Sequence, residues 1–332
     1  MTIHSLDEEY RAARGAGVLV DLGHRGRVRV SGRDRVDLIH RLSTNDMRGL
    51  APGRGTENLF LTNKGRIFSA FDALCFAEEL LLFLPGADAI PVIEWIMRFV
   101  FAEDVTAGDA TAEIFEYGIY GPEARAALAA AGADPGPLAA RDHAPAPALE
   151  GVHVGAAKAL AGAGYRIFGP HEAGERAWWH LLEQGAAAGL RAAGPETAEV
   201  LRIEAGIPAP GHELTEQWNP LEAELRSAIS FTKGCYTGQE VVARLNTYKK
   251  VQRTLRGLRL AGDEIPPPGS RLLAAGAEAG LVTSAAFSPA LGAPIALAYV
   301  ALEKSAPGTA VEVELEPGGR TAAATVLVLP LV

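Results

Sequence analysis

The residues best suited to chemistry lie between Phe231 and Arg244. Cys235 lies near the start of this stretch, two positions after Lys233. Thr237 and Glu240 are spaced as a capping box, so a helix is predicted to begin directly after Thr237. The positive end of that helix and the charge of Lys233 both favour a thiolate. The pattern therefore predicts a reactive or ligand-forming cysteine, and the alternative is a small buried residue in a tight turn.

The same stretch is the basic part of an acidic chain. The net charge is -9 over 332 residues, a balance that argues against direct nucleic-acid binding. Between positions 233 and 256 the one acidic residue is Glu240, and the basic residues are Lys233, Arg244, Lys249, Lys250, Arg253 and Arg256. This local excess suits an anionic ligand, such as a polyglutamate tail or RNA phosphate. It is equally typical of a strand edge guarded by lysines.

Two further residues bear on chemistry. Cys75 lies between apolar neighbours on a predicted strand, so we expect it in the core. Glu204 precedes Gly-Ile-Pro, and its carboxylate could accept two parallel hydrogen bonds from a ring edge such as that of a pterin. A single glutamate in this context is also typical of a surface. The two cysteines form neither a disulfide framework nor a four-cysteine cluster site, and we predict no metal site.

The elements that must position these residues suggest an α+β protein in four parts. We predict an N-terminal α/β part over 1–112, a second, ferredoxin-like α/β part over 113–194, and a return segment with the cysteine motif over 195–250. A barrel of short antiparallel strands is expected over 251–332, where Gly and Pro separate runs of Val, Leu and Ala. The stretch 132–150, rich in Ala, Pro and Gly, is predicted to be an exposed connection.

The N-terminal residues and the most apolar stretch of the chain bear on where in the cell the protein is expected. Residues 1–10 lack a basic start and an apolar core, so we expect no signal peptide. The most apolar stretch, 80–101, is interrupted by prolines and charged residues, which argues against a membrane span. We therefore expect a cytoplasmic protein that does not contact membranes.

The run Lys-Gly-Cys-Tyr-Thr-Gly-Gln-Glu over 233–240 resembles the signature of the YgfZ family of folate-binding proteins, relatives of the glycine-cleavage T-protein. The likeness continues in order through blocks at 32–46, 62–67, 202–208 and 280–298. It implies a three-domain, ring-like T-protein fold around a central folate channel, with a C-terminal antiparallel β-barrel. It also implies that residues 1–112 bind folate and that the protein assembles or repairs iron–sulfur clusters, affecting tRNA modification indirectly.

The resemblance also implies site residues and partners. Cys235 would be the reactive group, and its companions would be Lys233, Tyr236, Gln239, Glu240 and Arg244. Tetrahydrofolate or a one-carbon derivative would be the cofactor, held by Glu204 together with Asn45, Arg66 and Arg202. The partners would be folate and iron–sulfur client or assembly proteins.

One departure bears on the reaction. In the T-protein, the strand after the 62–67 block carries an acidic pair that serves one-carbon transfer, and here Ser69 and Ala70 occupy those positions. Asp72, two residues further on, would point differently on a strand. Nothing at those positions would orient or deprotonate a reacting amine. We therefore expect an iron–sulfur factor. The alternatives are an aminomethyltransferase that acts with a lipoyl carrier protein, and a folate-binding module without a reaction of its own.

Overall fold

The computed structural model describes residues 5–316 and 318–332. Residues 1–4, the start of the segment in which we expect no signal peptide, lie outside the described residues. Contacts divide the chain into two compact units. The first unit runs up to residue 61 and adds residues 69–197 and 227–237, and the second comprises residues 62–68, 198–226 and 238–332.

The first unit contains two sheets and five complete α-helices among its described residues. Its elements, counting β4, which begins in the second unit, are α1 (Leu6–Gly15), β1 (Gly17–Asp21), β2 (Arg27–Ser31), α2 (Arg35–Leu42), β3 (Gly55–Leu61), β4 (Ile67–Cys75), β5 (Glu79–Phe83), α3 (Ile90–Met97), β6 (Thr106–Asp109), β7 (Ile114–Gly121), α4 (Ala124–Ala130), β8 (His143–Pro145), β9 (His153–Ala156), β10 (Ala163–Pro170), α5 (His171–Gly185) and β11 (Leu190–Ala193).

The strands of this unit form sheets in the orders β3-β4-β5-β2-β6 and β11-β1-β7-β10-β9-β8. Strand β7 is buried along its whole length, as expected of a central strand covered on both faces. Leu19, Ile119 and Ile167 of the six-stranded sheet pack with Leu128 of α4 and Leu181 of α5. These contacts pack helices α4 and α5 as one layer against the six-stranded sheet.

The stretch 132–150 corrects one expectation. It contains β8, and Ala133, Ala146 and Leu149 are buried in the core of the six-stranded sheet. Its small side chains let the backbone pack closely while its N–H and C=O groups find partners in the chain, as Ala146 N–H does at the carbonyl of Val152. The prediction of an exposed connection was therefore wrong over much of this stretch.

The second unit contains α6 (Pro195–Glu204), which begins in the first unit, and then α7 (Gln239–Tyr248), β12 (Arg253–Leu260), β13 (Arg271–Ala274), β14 (Ala277–Ser288), β15 (Ala293–Ala301), β16 (Ala310–Glu314) and β17 (Thr321–Leu327).

The six strands of this unit close into an antiparallel barrel in the order β12-β15-β14-β13-β16-β17. Leu258, Val282, Ala298 and Val313 fill its interior without measurable exposure. The predicted α+β class and C-terminal antiparallel barrel are confirmed. The boundaries of the four predicted parts stay a prediction. Within the described ranges, we find no helix with the length and apolar character that crossing a membrane requires.

Candidate functional site

The cysteine segment, residues 227–237, docks on the turn that follows α2. Thr44 Oγ1 donates a hydrogen bond to the carbonyl of Ala228 at 2.6 Å. Ser230 N–H donates in turn to the carbonyl of Thr44 at 3.0 Å. Because Thr44 is fully buried, these bonds are shielded from water, and they fix the segment that carries Cys235.

Asn45 extends this contact. Its Nδ2 group donates to the carbonyls of Ser227, at 3.1 Å, and Glu57, at 2.9 Å. Both donor hydrogens of the amide are therefore used within the protein. Asn45, expected at the folate, acts here as a clamp between the turn after α2 and the cysteine segment.

Lys233 is the cation of this contact. Its Nζ donates to the carbonyls of His40, Ser43 (2.6 Å) and Asn45 (3.0 Å). Lys233 is 9% exposed, and burial lowers the pKa of its ammonium group to about 8. Carbonyls at the C-terminal end of a helix attract cations, so the ammonium ties the cysteine segment to the end of α2.

Two rings flank the ammonium. The centre of the Tyr236 ring lies 5.3 Å from Lys233 Nζ, a cation–π distance, and burial raises the pKa of Tyr236 to about 12. His40 Nδ1 accepts the Met47 N–H at 3.2 Å and lies 3.2 Å from Asp46 Oδ1. Burial, and then the charge of Lys233, lowers the pKa of His40. The imidazole is therefore neutral at neutral pH, and Lys233 carries the positive charge.

The two cysteines differ as expected. Cys235 is exposed, and Cys75 is buried on β4; burial also raises the pKa of the Cys75 thiol. The predicted capping box was wrong. Helix α7 begins at Gln239, and its N-cap is Gly238, with φ +82° and no side-chain cap. A Cβ at Gly238 would lie 2.6 Å from the Thr62 carbonyl oxygen, so a left-handed glycine, and no side-chain bond, starts this helix.

In the second unit, Glu204 ends α6 and is fully buried. Its carboxylate accepts the hydroxyl of Ser288, and its backbone carbonyl accepts the N–H of Leu331 at 2.7 Å. Glu204 is therefore a core carboxylate rather than a surface residue.

Arg202, two residues before the end of α6, belongs to an internal ion network. Its guanidinium donates to Glu199 at 2.5 and 2.7 Å, to Glu213 at 3.1 Å and to Ser284 Oγ at 2.8 Å. Glu213 is fully buried. The guanidinium of Arg202 thus donates to protein groups, and these bonds fix the end of α6 that carries Glu204.

The remaining predicted site residues also lie in the second unit. Arg66 Nη1 donates to the carbonyl of Gln217 at 2.7 Å and lies 3.4 Å from a Glu222 carboxylate oxygen. Gln239, Glu240 and Arg244 lie in the first two turns of α7, where Glu240 and Arg244 are exposed. The structure thus brings Asn45, Lys233 and Tyr236 into contact around the cysteine segment.

Strand β4 carries a charge network that sequence reasoning missed. Asp72 accepts hydrogen bonds from Arg141 Nε at 2.6 Å and from Arg166 Nη2 at 2.9 Å. Arg166 also donates to the fully buried Glu116 at 2.8 Å. Burial alone would raise the pKa of Asp72, but the guanidinium groups of Arg166 and Arg141 lower it below its ordinary value. The available signal was a charged residue inside each of two apolar strands, β7 and β10.

Ser69 and Ala70, on the same strand, are half-buried. The nearest carboxylate along β4 is that of Asp72, which is ion-paired with two arginines. Because these arginines lower its pKa, Asp72 is a poor base. Among the described residues, no group of three or more His, Cys, Asp or Glu side chains could hold a metal ion.

Two family models match the chain. The GCVT N-terminal domain matches residues 2–233, and the glycine cleavage T-protein C-terminal barrel domain matches residues 253–332. The chain belongs to the glycine cleavage T-protein family. A solved T-protein, the glycine cleavage system aminomethyltransferase T of Bartonella henselae, superposes with a TM-score of 0.85 over 99% of this chain and 90% of that one, at 23% identity. This confirms the T-protein fold.

Several curated relatives of this T-protein family member are named Aminomethyltransferase. That of Symbiobacterium thermophilum is 33% identical over 98% of this chain and 89% of its own length. That of Saccharopolyspora erythraea is 30% identical over 97% and 88%. The Putative transferase At1g60990, chloroplastic, of Arabidopsis thaliana is 31% identical over 84% of this chain, which spans 64% of the plant protein.

Proposed function

We propose that this T-protein family member binds tetrahydrofolate or a one-carbon derivative of it. Family membership over nearly the whole chain is the observation that carries the proposal. In keeping with the family resemblance, Glu204, at the end of a helix fixed by the Arg202 network, would hold a ring with paired N–H donors by exchanging its present bond to Ser288. Arg66, in the same unit as Glu204, would position the backbone near the ligand rather than donate to it, because its Nη1 donates to the protein.

Such a protein could catalyse aminomethyl transfer or maintain iron–sulfur clusters. The comparisons support aminomethyl transfer, whereas the residues on β4 argue against it. The comparisons favour aminomethyl transfer to tetrahydrofolate, because relatives about 30% identical over nearly the whole chain bear that name. They give no support to an iron–sulfur or tRNA role. Aminomethyl transfer is therefore the candidate with the stronger comparative support.

The residues on β4 argue against aminomethyl transfer. Aminomethyl transfer needs a group that accepts a proton from the reacting amine. On β4 the positions expected for carboxylates hold Ser69 and Ala70, and Asp72 is occupied by two guanidinium groups. We propose instead that Cys235 is the reactive group of a folate-dependent factor that maintains iron–sulfur clusters. Its exposure and its docked segment support this, with Lys233 and Tyr236 as positioning residues and Gln239, Glu240 and Arg244 on the helix that follows.

One experiment separates the two candidates. The purified protein is mixed with tetrahydrofolate and an aminomethyl-lipoyl carrier protein, and methylenetetrahydrofolate is measured. In parallel, cells lacking the protein receive the wild type or Cys235→Ala, and the activity of their iron–sulfur enzymes is measured. Our proposal predicts negligible turnover and loss of rescue by the alanine variant. Robust turnover with full rescue by Cys235→Ala would establish aminomethyl transfer instead.

A further inference from the structure

A cavity of about 330 Å³ lies wholly within the first unit, and residues of both its sheets line it. This volume is at the lower end of the range of small-molecule sites. None of the site residues discussed above lines it. The cavity therefore calls for an explanation that is independent of folate and of Cys235.

Aromatic rings form one wall of this cavity. The rings of His153 and Phe168 stack with their centres 5.5 Å apart, and Phe76 meets the edge of His153 at 5.2 Å. Burial, and then the neighbouring His143, lowers the pKa of His153 to about 4. The wall is therefore neutral at neutral pH and presents three π systems.

Carboxylates supply the charge at the cavity. Arg29 donates through Nε to Glu79 Oε2 at 2.7 Å and through Nη1 to Glu113 Oε2. One guanidinium between two carboxylates leaves a net charge of about -1 on this lining. Both bonds use the Oε2 oxygens. As far as the described residues go, the Oε1 oxygens can accept from a further donor, while the guanidinium is engaged by the two acids.

We propose that this cavity binds an organic cation, an ammonium group on a small apolar or aromatic body. The ammonium would donate to Glu79 and Glu113, and the body would pack on Phe76, His153 and Phe168. Aromatic faces attract such cations, and the net negative lining disfavours an anion of the same shape. The site would thus select amines over acids and over neutral alcohols.

Phenethylamine, 2-phenylethanol and 3-phenylpropionate are suitable probes, because they share a body and differ in charge. Calorimetry and thermal shift with the full chain at neutral pH would compare them. We expect one site for the amine, at least tenfold tighter than for the alcohol or the acid. Glu113→Gln should weaken amine binding at least fivefold, because it removes one of the two carboxylates of the lining. Glu113 is largely exposed, so this change should not unfold the protein.

Two further variants complete the test. Phe76→Leu keeps an apolar side chain but removes a ring, and should also weaken amine binding. Glu123→Gln, an exposed N-cap without a side-chain bond, should change nothing. The proposal is overturned if the amine fails to bind up to about 10 mM, if the alcohol binds as tightly, or if Glu113→Gln leaves the affinity unchanged.

Discussion

Replacing Lys233 with methionine tests whether its ammonium holds the cysteine segment in place. Methionine preserves the length and apolar stem of the side chain but donates no hydrogen bonds. The carbonyls of His40, Ser43 and Asn45 would each lose a donor. Because Lys233 is nearly buried, water would not easily replace that donor.

The expected loss follows from two opposing quantities. Hydrogen bonds from a charged donor contribute about 1.5–3 kcal/mol each, so three give about 6 kcal/mol. Burial opposes them, because it disfavours the charged ammonium and lowers the pKa of Lys233 to about 8, and methionine removes this opposition. We therefore expect the free energy of unfolding to fall by about 3 kcal/mol.

Urea unfolding and amide hydrogen exchange would measure this loss. The N–H groups of Ser230 and Lys233, which bond to Thr44 and to Ser230 Oγ, should exchange at least tenfold faster in the variant. Amides of the barrel, such as that of Val282, should exchange as before. Lys64→Met, which removes an exposed lysine, is the matched control. Unchanged stability and unchanged exchange in residues 227–237 would refute the docking role of Lys233.

The same lysine predicts a pH dependence. Its folded pKa of about 8 lies below the ordinary 10.5, so between these values the unfolded chain holds a proton that the folded chain has released. The stability contributed by this group therefore rises with pH across that window. The wild type should gain stability relative to Lys233→Met between pH 8 and pH 10. A relative loss would show that the three carbonyls raise the pKa of Lys233 instead.

Three further outcomes are expected. Asp72→Asn should lower the free energy of unfolding by about 2 kcal/mol, because it removes a carboxylate shared by two buried guanidinium groups, which keep only Glu116 and Glu57 as partners; a change below about 0.5 kcal/mol in urea unfolding would contradict this. Iodoacetamide should label exposed Cys235 well before buried Cys75, as mass spectrometry would show, and equal rates would contradict it. Glu204→Gln should weaken tetrahydrofolate binding by about 2 kcal/mol in calorimetry, and unchanged affinity would remove Glu204 from the site.

The fold was largely predictable because its strands repeat local patterns. Short runs of Val, Leu and Ala between Gly and Pro mark the barrel strands, as in β14 and β15. The stretch 132–150 was missed because its composition is that of a loop, whereas its burial depends on the sheet that covers it. Local sequence reports turn chemistry but not what packs against a turn.

The site was predictable in its residues more than in their partners. The position of Cys235 beside glycines indicated a turn, and the structure exposes it, which argues against the alternative of a small buried residue. The partners of Lys233 are backbone carbonyls of residues 40–45, distant in sequence, and backbone groups leave no mark on residue type. Likewise, the pairing of Asp72 with Arg166 depends on two strands meeting across the fold.

Titration of the purified protein with tetrahydrofolate tests the central claim most directly. Calorimetry should show one saturable site, and at a ligand concentration of 100 times Kd the free energy of unfolding should rise by about 2.7 kcal/mol. Lys64→Met should bind equally well, because its side chain is exposed in a turn. Absence of binding heat and of any stabilisation up to about 1 mM tetrahydrofolate would contradict the assignment of this chain as a folate-binding member of the T-protein family.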